Sequence, residues 1–346
     1  IDFVEIMTTG NAVDFGDLTE SRKEQNNGVV CSSTRGLFAG GRTPTNAKTI
    51  DFVTMASQGN AVDFGDLQRA IYDQASGSNS VLGVFAAGYG GAYYRDIEEI
   101  TIASGGTSTD HGAETLVNNA AASGSCNAHG GLNDGYMGTR PLPFNEAGGD
   151  RGLFAGGNNG SRKSTIDFIT ISSTGDANDF GNLLHGDTDF GQGVGSRVRG
   201  VFGNGNVASP RSAGELDYVT FSTLGNAANF GSLTTARGGG GASGSNNIRG
   251  VFGGGYVSPA SVDTIDYITI ATLGNAADFG NLTAARSDGQ GFSSSTRTIF
   301  GGGKTNPSNA KTDIMDYITI SSTGNATDFG NLLAAGYRSG CASSST

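Results

Sequence analysis

The chain has 346 residues, of which 59 are Gly and only 6 Pro, with 19 Phe, 10 Tyr and no Trp. Glycine at this level without a three-residue period excludes collagen, and aromatics that recur in register exclude a disordered chain. The net charge of −11, from 21 basic and 32 acidic residues, opposes non-specific nucleic-acid binding, and no apolar run approaches the roughly 20 residues of a membrane span.

An alternating apolar segment opens at Ile1, Ile50, Ile97, Ile166, Leu216, Ile265 and Met315, at spacings of 49, 47, 69, 50, 49 and 50 residues. The period is near 49 with one insertion of about 20, which is the mark of a repeat architecture. Each unit begins with a run such as IDFVTM or IDYITI, whose two-residue alternation predicts a half-buried strand. A small polar link follows, with Gly-Asn in five copies (Gly10-Asn11, Gly59-Asn60, Gly225-Asn226, Gly274-Asn275 and Gly324-Asn325). Gly and Asn tolerate the positive φ of tight turns. A second strand runs through Asp-Phe-Gly, with its aromatic at Phe15, Phe64, Phe180, Phe230, Phe279 and Phe329. A third, rich in Ser, Gly and Ala, lies near residues 31, 241, 292 and 341, and a fourth reads RGLFAGG or RGVFGGG. Its turn glycines are read as Gly40-Gly41, Gly156-Gly157 and Gly253-Gly254. Four short strands per unit joined by glycine-rich turns describe a propeller blade.

Taken in order, Ile1 to Leu18 supplies the third and fourth strands of a blade. Residues 19–67 form a full unit, and residues 68–116 a reworded one, with VFAAG at 84–88, IEEITI at 97–102 and Asp110-His111-Gly112 in place of Asp-Phe-Gly. An insertion follows at about 125–150, containing Tyr136, Met137, Arg140, Pro141, Pro143 and Phe144. A long loop inside a regular repeat is uncommon and often functional, so Tyr136, Met137, Arg140 and Phe144 are the candidate binding residues. Residues 151–233 add two units, including a GDTDFG stretch whose Asp187 and Asp189 resemble the start of a calcium loop but lack its remaining ligand spacing. Residues 234–346 are the most regular.

The chain contains seven IDYITI-type runs, seven Asp-Phe-Gly-type segments, seven small-residue runs and six FGGG strands. This predicts an all-β chain: one seven-bladed β-propeller domain over 1–346, closed by a split blade. In that blade the N-terminus gives the third and fourth strands and the C-terminus the first. The missing second strand, and an Ile rather than a Met at position 1, point to a processed or incomplete chain that continues past Thr346 with another FGGG segment. An intact mass equal to that of residues 1–346 would count against this.

From Arg237 to Arg286 the order of Phe252-Gly253-Gly254, Asp266-Tyr267, Phe279 and a final Leu and Arg resembles the kelch repeat. A period near 49 suits a kelch-type blade better than a WD40 blade of about 40–45 residues. Phe279 stands where kelch has Trp, so that position departs from the family pattern. The wording GNAxDFGNL with RGVFGGG resembles tandem repeats of marine bacteriophage virion proteins, across nearly the whole chain. The resemblance implies a non-catalytic propeller on the virion surface, associated with a tail or fibre. Its partners would be other virion proteins or a host receptor, with a glycan among the candidates and a homo-oligomer as one arrangement.

Chemistry is sparse. Asp14, Asp63, Asp179, Asp278 and Asp328 recur beside turns and are read as acceptors of backbone N–H. Arg35, Arg151, Arg199, Arg249 and Arg297 recur with the unit and are read as structural. Cys31, Cys126 and Cys341 are odd in number and widely spaced, which reads as buried thiols, with a disulfide or metal link between blades as the alternative. His111, His129 and His185 are the only histidines, and no H-x-x-x-H or C-x-x-C spacing is present. No cofactor is expected. A secreted or cell-surface binding module is the second functional reading, with Tyr89, Tyr93 and Tyr94 either stacking on sugar rings or packing between blades. A kelch-type metalloenzyme built around His111 and His129 is the third.

Overall fold

The computed structural model describes residues 1–23, 28–79, 81–114, 123–126, 150–185, 188–189, 192–203, 205–207, 214–238 and 241–337. Among them the regular structure is all β, arranged as a β-propeller, and no helix is long and apolar enough to cross a membrane.

Blade one is built from Val29–Cys31, Arg35–Ala39, Thr49–Thr54 and Val62–Asp66, from the axis outward. Blade two follows with Ala75–Ser78, Leu82–Ala86, Asp96–Thr101 and Thr109–Ala113. Blade three has Ser123–Cys126, Arg151–Ala155, Thr165–Thr170 and Asn178–Asn182. Blade four has Gln192–Gly195, Arg199–Gly203, Glu215–Thr220 and Ala228–Ser232. Blade five has Ala242–Ser245, Arg249–Gly253, Thr264–Thr269 and Ala277–Asn281. Blade six has Gln290–Ser293, Arg297–Gly301, Ala310–Thr319 and Thr327–Gly336. All pairings are antiparallel, so the inner-to-second and third-to-outer turns share one face of the ring. The second-to-third loops and the linkers between blades share the other.

The expectation of seven blades is corrected: among the described residues there are six four-stranded blades. Asp2–Phe3 and Val13–Asp14 pair with each other as a two-stranded sheet. The reason is the missing FGGG strand: without a second strand, no inner strand can be hydrogen-bonded to the third. The small-residue stretch at 341–345, expected as that inner strand, lies outside the described residues. The N-terminal pair nonetheless occupies a place in the ring. Gly10 N–H donates to Phe329 O of blade six (2.7 Å), and Gly59 N–H of blade one donates to Phe15 O of the pair (2.7 Å).

These two bonds belong to a lacing that repeats around the ring and explains the two most regular motifs. In every blade the third and outer strands change register at the Asp-Phe-Gly segment, as between Ile50 and Asp51 or Ile265 and Asp266. The aromatic is therefore the extra residue of a β-bulge. The Asp accepts the N–H two residues on: Asp14 from Gly16, Asp63 from Gly65, Asp278 from Gly280 and Asp328 from Gly330, at 2.9–3.1 Å. Asp110 does the same for Gly112, while Asp179 lies opposite Asp167 at the same register. The bulge glycine must be Gly. At Gly330 φ is +139°, and an added Cβ would collide with the Gly10 carbonyl of the next sheet. The link of the following blade docks there, Gly-Asn in most copies, Gly106-Thr107 in blade two and Gly175-Asp176 in blade three. At the seam between blades four and five, Gly274 N–H donates to Phe230 O (2.9 Å), Ser232 N–H to Asn275 Oδ1 (3.1 Å) and Ala276 N–H to Ser232 O (2.8 Å).

The core lies in the seams. Phe15, Phe64, Phe180, Phe230, Phe279 and Phe329 are all buried and pack across to the next blade; Phe64, for example, clusters with Phe85, Ile100 and Ile102. Near the axis the inner strands approach closely, and Ser hydroxyls bond neighbouring carbonyls. Ser76 Oγ donates to Val29 O (2.9 Å) and Ser78 Oγ to Cys31 O (3.3 Å). At the closest approaches a side chain is excluded: a Cβ on Gly291 would overlap the backbone of Ser243. The second-strand turn uses Gly40-Gly41 and Gly156-Gly157 at positive φ. In blade five it uses Gly254 (+69°) and Gly255 (+123°), and Gly253 is the last residue of the strand.

Candidate functional site

The site is defined by subtracting the scaffold from the residues that carry charge or aromaticity. The recurrent arginines are scaffold. The guanidinium carbons of Arg35, Arg151, Arg199, Arg249 and Arg297 lie 4.5–4.9 Å from the ring centres of Phe52, Phe168, Tyr218, Tyr267 and Tyr317. Each then donates forward to a carbonyl of the next sheet. Arg35 reaches Ile102 O (3.0 Å), Arg151 reaches Phe221 O, Arg199 reaches Ile270 O (3.1 Å), Arg249 reaches Ile320 O (2.8 Å) and Arg297 reaches Ile6 O (3.0 Å). Each arginine is a staple between blades, and the ring beneath it meets the bulge aromatic edge to face, as Tyr267 meets Phe279 at 5.8 Å.

A second set of charges is buried. The linker entering a blade places Arg22, Arg237 or Arg286 against Asp51, Asp266 or Asp316 at 2.7, 2.9 and 2.8 Å. The same aspartates accept from a Thr hydroxyl (Thr19, Thr234 and Thr283), and the arginines also donate to Phe38 O, Phe252 O and Phe300 O. Burial lowers the Arg237 and Arg286 guanidinium values, and the paired carboxylate opposes the shift. His185 takes this role in blade four, with Nδ1 2.5 Å from Asp217 Oδ1.

Blade two departs from the pattern at linked positions. Leu82 stands in the staple position, Glu99 in the ring position beneath it and His111 in the bulge position. His111 Nδ1 lies 2.6 Å from Glu99 Oε2 with the imidazole fully buried, and its Nε2 has no partner among the described residues. Glu98 replaces the buried Asp and accepts from Gln68 N–H (2.8 Å) and Ser108 Oγ (2.6 Å); burial raises its carboxyl above the usual range, against these hydrogen bonds. Glu114 occupies the position of Leu67, Leu183, Leu233 and Leu282. It is buried, its Oε1 has no partner among the described residues, and desolvation, then the neighbouring Asp167 charge, push its carboxyl well up. Among the described residues no group of three His, Cys, Asp or Glu side chains is placed to hold a metal. His111 and His185 are separately engaged in different blades, and His129 lies outside the described residues.

An aromatic cluster stands apart from the repeat on the face of the second-to-third loops. Tyr72 and Tyr89 exchange backbone bonds (3.0 and 2.9 Å) and their rings meet at 5.6 Å. Tyr93 meets Tyr89 at 5.0 Å, and the Arg42 guanidinium lies 4.9 Å from the Tyr72 ring. All three tyrosines are half-buried. Gly88 (φ +111°) turns the loop, and Gly90 must lack a Cβ to pass Ala70 O. Tyr94 belongs to the scaffold, since it packs on the core with Phe52 and carries Arg69 at 4.8 Å over its ring. The equivalent bridge joins Lys23 to Arg42, Gly238 to Tyr256 and Ser287 to Lys304 in other blades.

The structure thus brings Tyr89 and Tyr93 together and assigns Tyr94 elsewhere. Tyr72 and Arg42 were not singled out in the sequence, because Tyr72 lies in the linker ahead of the inner strand of blade two and Arg42 in the preceding repeat. Reading the residue after each linker arginine down the repeats, with Ile71 standing in the arginine's place before Tyr72, is the signal that would have found Tyr72. Tyr136, Met137, Arg140 and Phe144 lie outside the described residues, as do Asp187 and Cys341. In sequence the insertion lies between Ser123–Cys126 and Arg151–Ala155. Cys31 is buried on its inner strand. No protein-family model and no curated protein matches the chain.

Proposed function

We propose that this chain is a non-catalytic binding propeller that takes a carbohydrate on the face carrying Tyr72, Tyr89, Tyr93 and Arg42, and that it is displayed at a virion surface. One observation carries the reading. The recurrent arginines, aspartates and aromatics are consumed in holding blades together, whereas among the described residues this tyrosine cluster is built once, on loops. Tyrosine offers an apolar ring face and a hydroxyl together, and an arginine beside it supplies fixed donors. That combination suits a sugar, whose ring carbons stack and whose hydroxyls need directed partners. The virion setting rests on the resemblance of the repeat wording alone.

Titration against a panel of host-surface oligosaccharides tests the binding, comparing the parent with Tyr89→Ala/Tyr93→Ala. The expected result is at least about tenfold weaker binding in the variant, since loss of stacked aromatic contact costs 1.4 kcal/mol or more. Equal binding by both would remove the cluster from the site. Co-purification with tail or capsid proteins tests the setting, and recovery as a lone protein would count against it.

A further inference from the structure

We infer that the propeller has one built-in parting seam, between blades two and three, at which the ring opens when it deforms. Five of the six blades staple forward through Arg35, Arg151, Arg199, Arg249 and Arg297. Blade two has Leu82 in that position, so among the described residues the only seam between two four-stranded blades without the arginine staple is the one it makes with blade three. The filling of the same seam is changed as well. The clusters between other neighbouring blades contain both a bulge Phe and a Leu: Phe64 and Leu67, Phe180 and Leu183, Phe230 and Leu233, Phe279 and Leu282. Between blades two and three the cluster is Ala75, Val84, Ala86, Ile97, Phe154, Ile169, Ile171 and Ala177. His111 and Glu114 stand where the Phe and Leu would be, each with a buried atom that has no partner among the described residues.

The seam keeps its backbone lacing. Gly175 N–H donates to His111 O (2.5 Å), Ala177 N–H to Ala113 O (2.8 Å) and Ala113 N–H to Asp176 Oδ1 (3.0 Å). Asn79 Nδ2 adds a bond to Asp150 Oδ1 (3.1 Å). The seam is therefore held by hydrogen bonds that water can replace and by that smaller-residue cluster, without the bulge Phe, the Leu and the cation–aromatic contact that the other seams between four-stranded blades add. Local opening follows the regions with the least apolar burial. Three or more coordinated changes confined to one seam make it the place where two rigid groups of blades hinge.

The molecule supplies its own control, because the same lacing amides exist at every seam. In native-state hydrogen exchange, corrected for intrinsic rates, Gly175 and Ala177 should be protected at least about tenfold less than Gly225, Ala227, Gly274 and Ala276. A variant that restores the wording of the other blades, Leu82→Arg/Glu99→Phe/His111→Phe/Glu114→Leu, should raise protection at Gly175 and Ala177 and leave the other seams unchanged. If that variant does not fold, the single change Leu82→Arg should move the same two amides in the same direction. Equal protection at all seams in the parent would overturn the inference. So would a folded repair variant that leaves Gly175 and Ala177 as they were.

Discussion

Replacing Glu114 by Leu should stabilise this protein, and the gain should grow with pH. Leu67, Leu183, Leu233 and Leu282, at the equivalent place, are 1–7% exposed, so the pocket shape for Leu recurs in the fold. Filling it with a buried Leu side chain is worth about 1.5–3 kcal/mol. Removing a buried carboxyl oxygen that has no partner among the described residues relieves a further ~1 kcal/mol or more. The combined gain is about 2–4 kcal/mol with the carboxyl neutral. The pH dependence has a definite sign. Burial and the nearby Asp167 raise the folded-state value of Glu114 above an unfolded value of about 4.3. The parent therefore holds the full stability of the protonated form only below that unfolded value, and loses it as pH rises toward the folded value, at about 1.4 kcal/mol per pH unit. Glu98 is shifted in the same direction, but it is common to both proteins and cancels in the difference. Thermal and urea unfolding of parent and Glu114→Leu between pH 5.5 and 9, followed by circular dichroism, would show the gap. A variant less stable than the parent at pH 8, or a gap constant across the range, would mean that the carboxylate is compensated and the reasoning wrong.

Two further perturbations probe the scaffold. Arg249→Ala removes the contact over Tyr267 and the bond to Ile320 O; for a half-exposed side chain the loss should be about 1–2 kcal/mol, read as a lower urea midpoint with unchanged slope. Asp266→Asn leaves the fully buried Arg237 without its counter-charge and should cost about 3–5 kcal/mol, whereas the double change Arg237→Met/Asp266→Leu should recover much of it in the same denaturation assay.

The repeat period, the strand order within a blade and the small residues near the axis were all legible in the sequence, because each is a local pattern imposed by backbone geometry. The alternation in IDYITI can only be a half-buried strand, and a run of Ser and Gly is what closely approaching inner strands require. The blade count was not legible. Seven copies of three motifs suggested seven blades, but a sheet exists only where consecutive strands can bond, and the second strand of the N-terminal copy is missing. Nor did the sequence reveal that Asp-Phe-Gly is a bulge whose aromatic belongs to the next seam, or that Arg249 serves blade six rather than its own. These are contacts between residues distant in sequence, Phe64 and Ile100 in one seam or Arg249 and Ile320, 71 positions apart, in another, fixed only once the ring has closed. The tyrosine cluster has the same origin. Tyr89 and Tyr93 share a loop, but Tyr72 lies in the linker ahead of the inner strand of their blade and Arg42 in the preceding repeat, and they meet only through the folding of the blade and the packing of blade one on blade two. The sequence determined what each unit is; the closed ring decided which residues remain outside the scaffold.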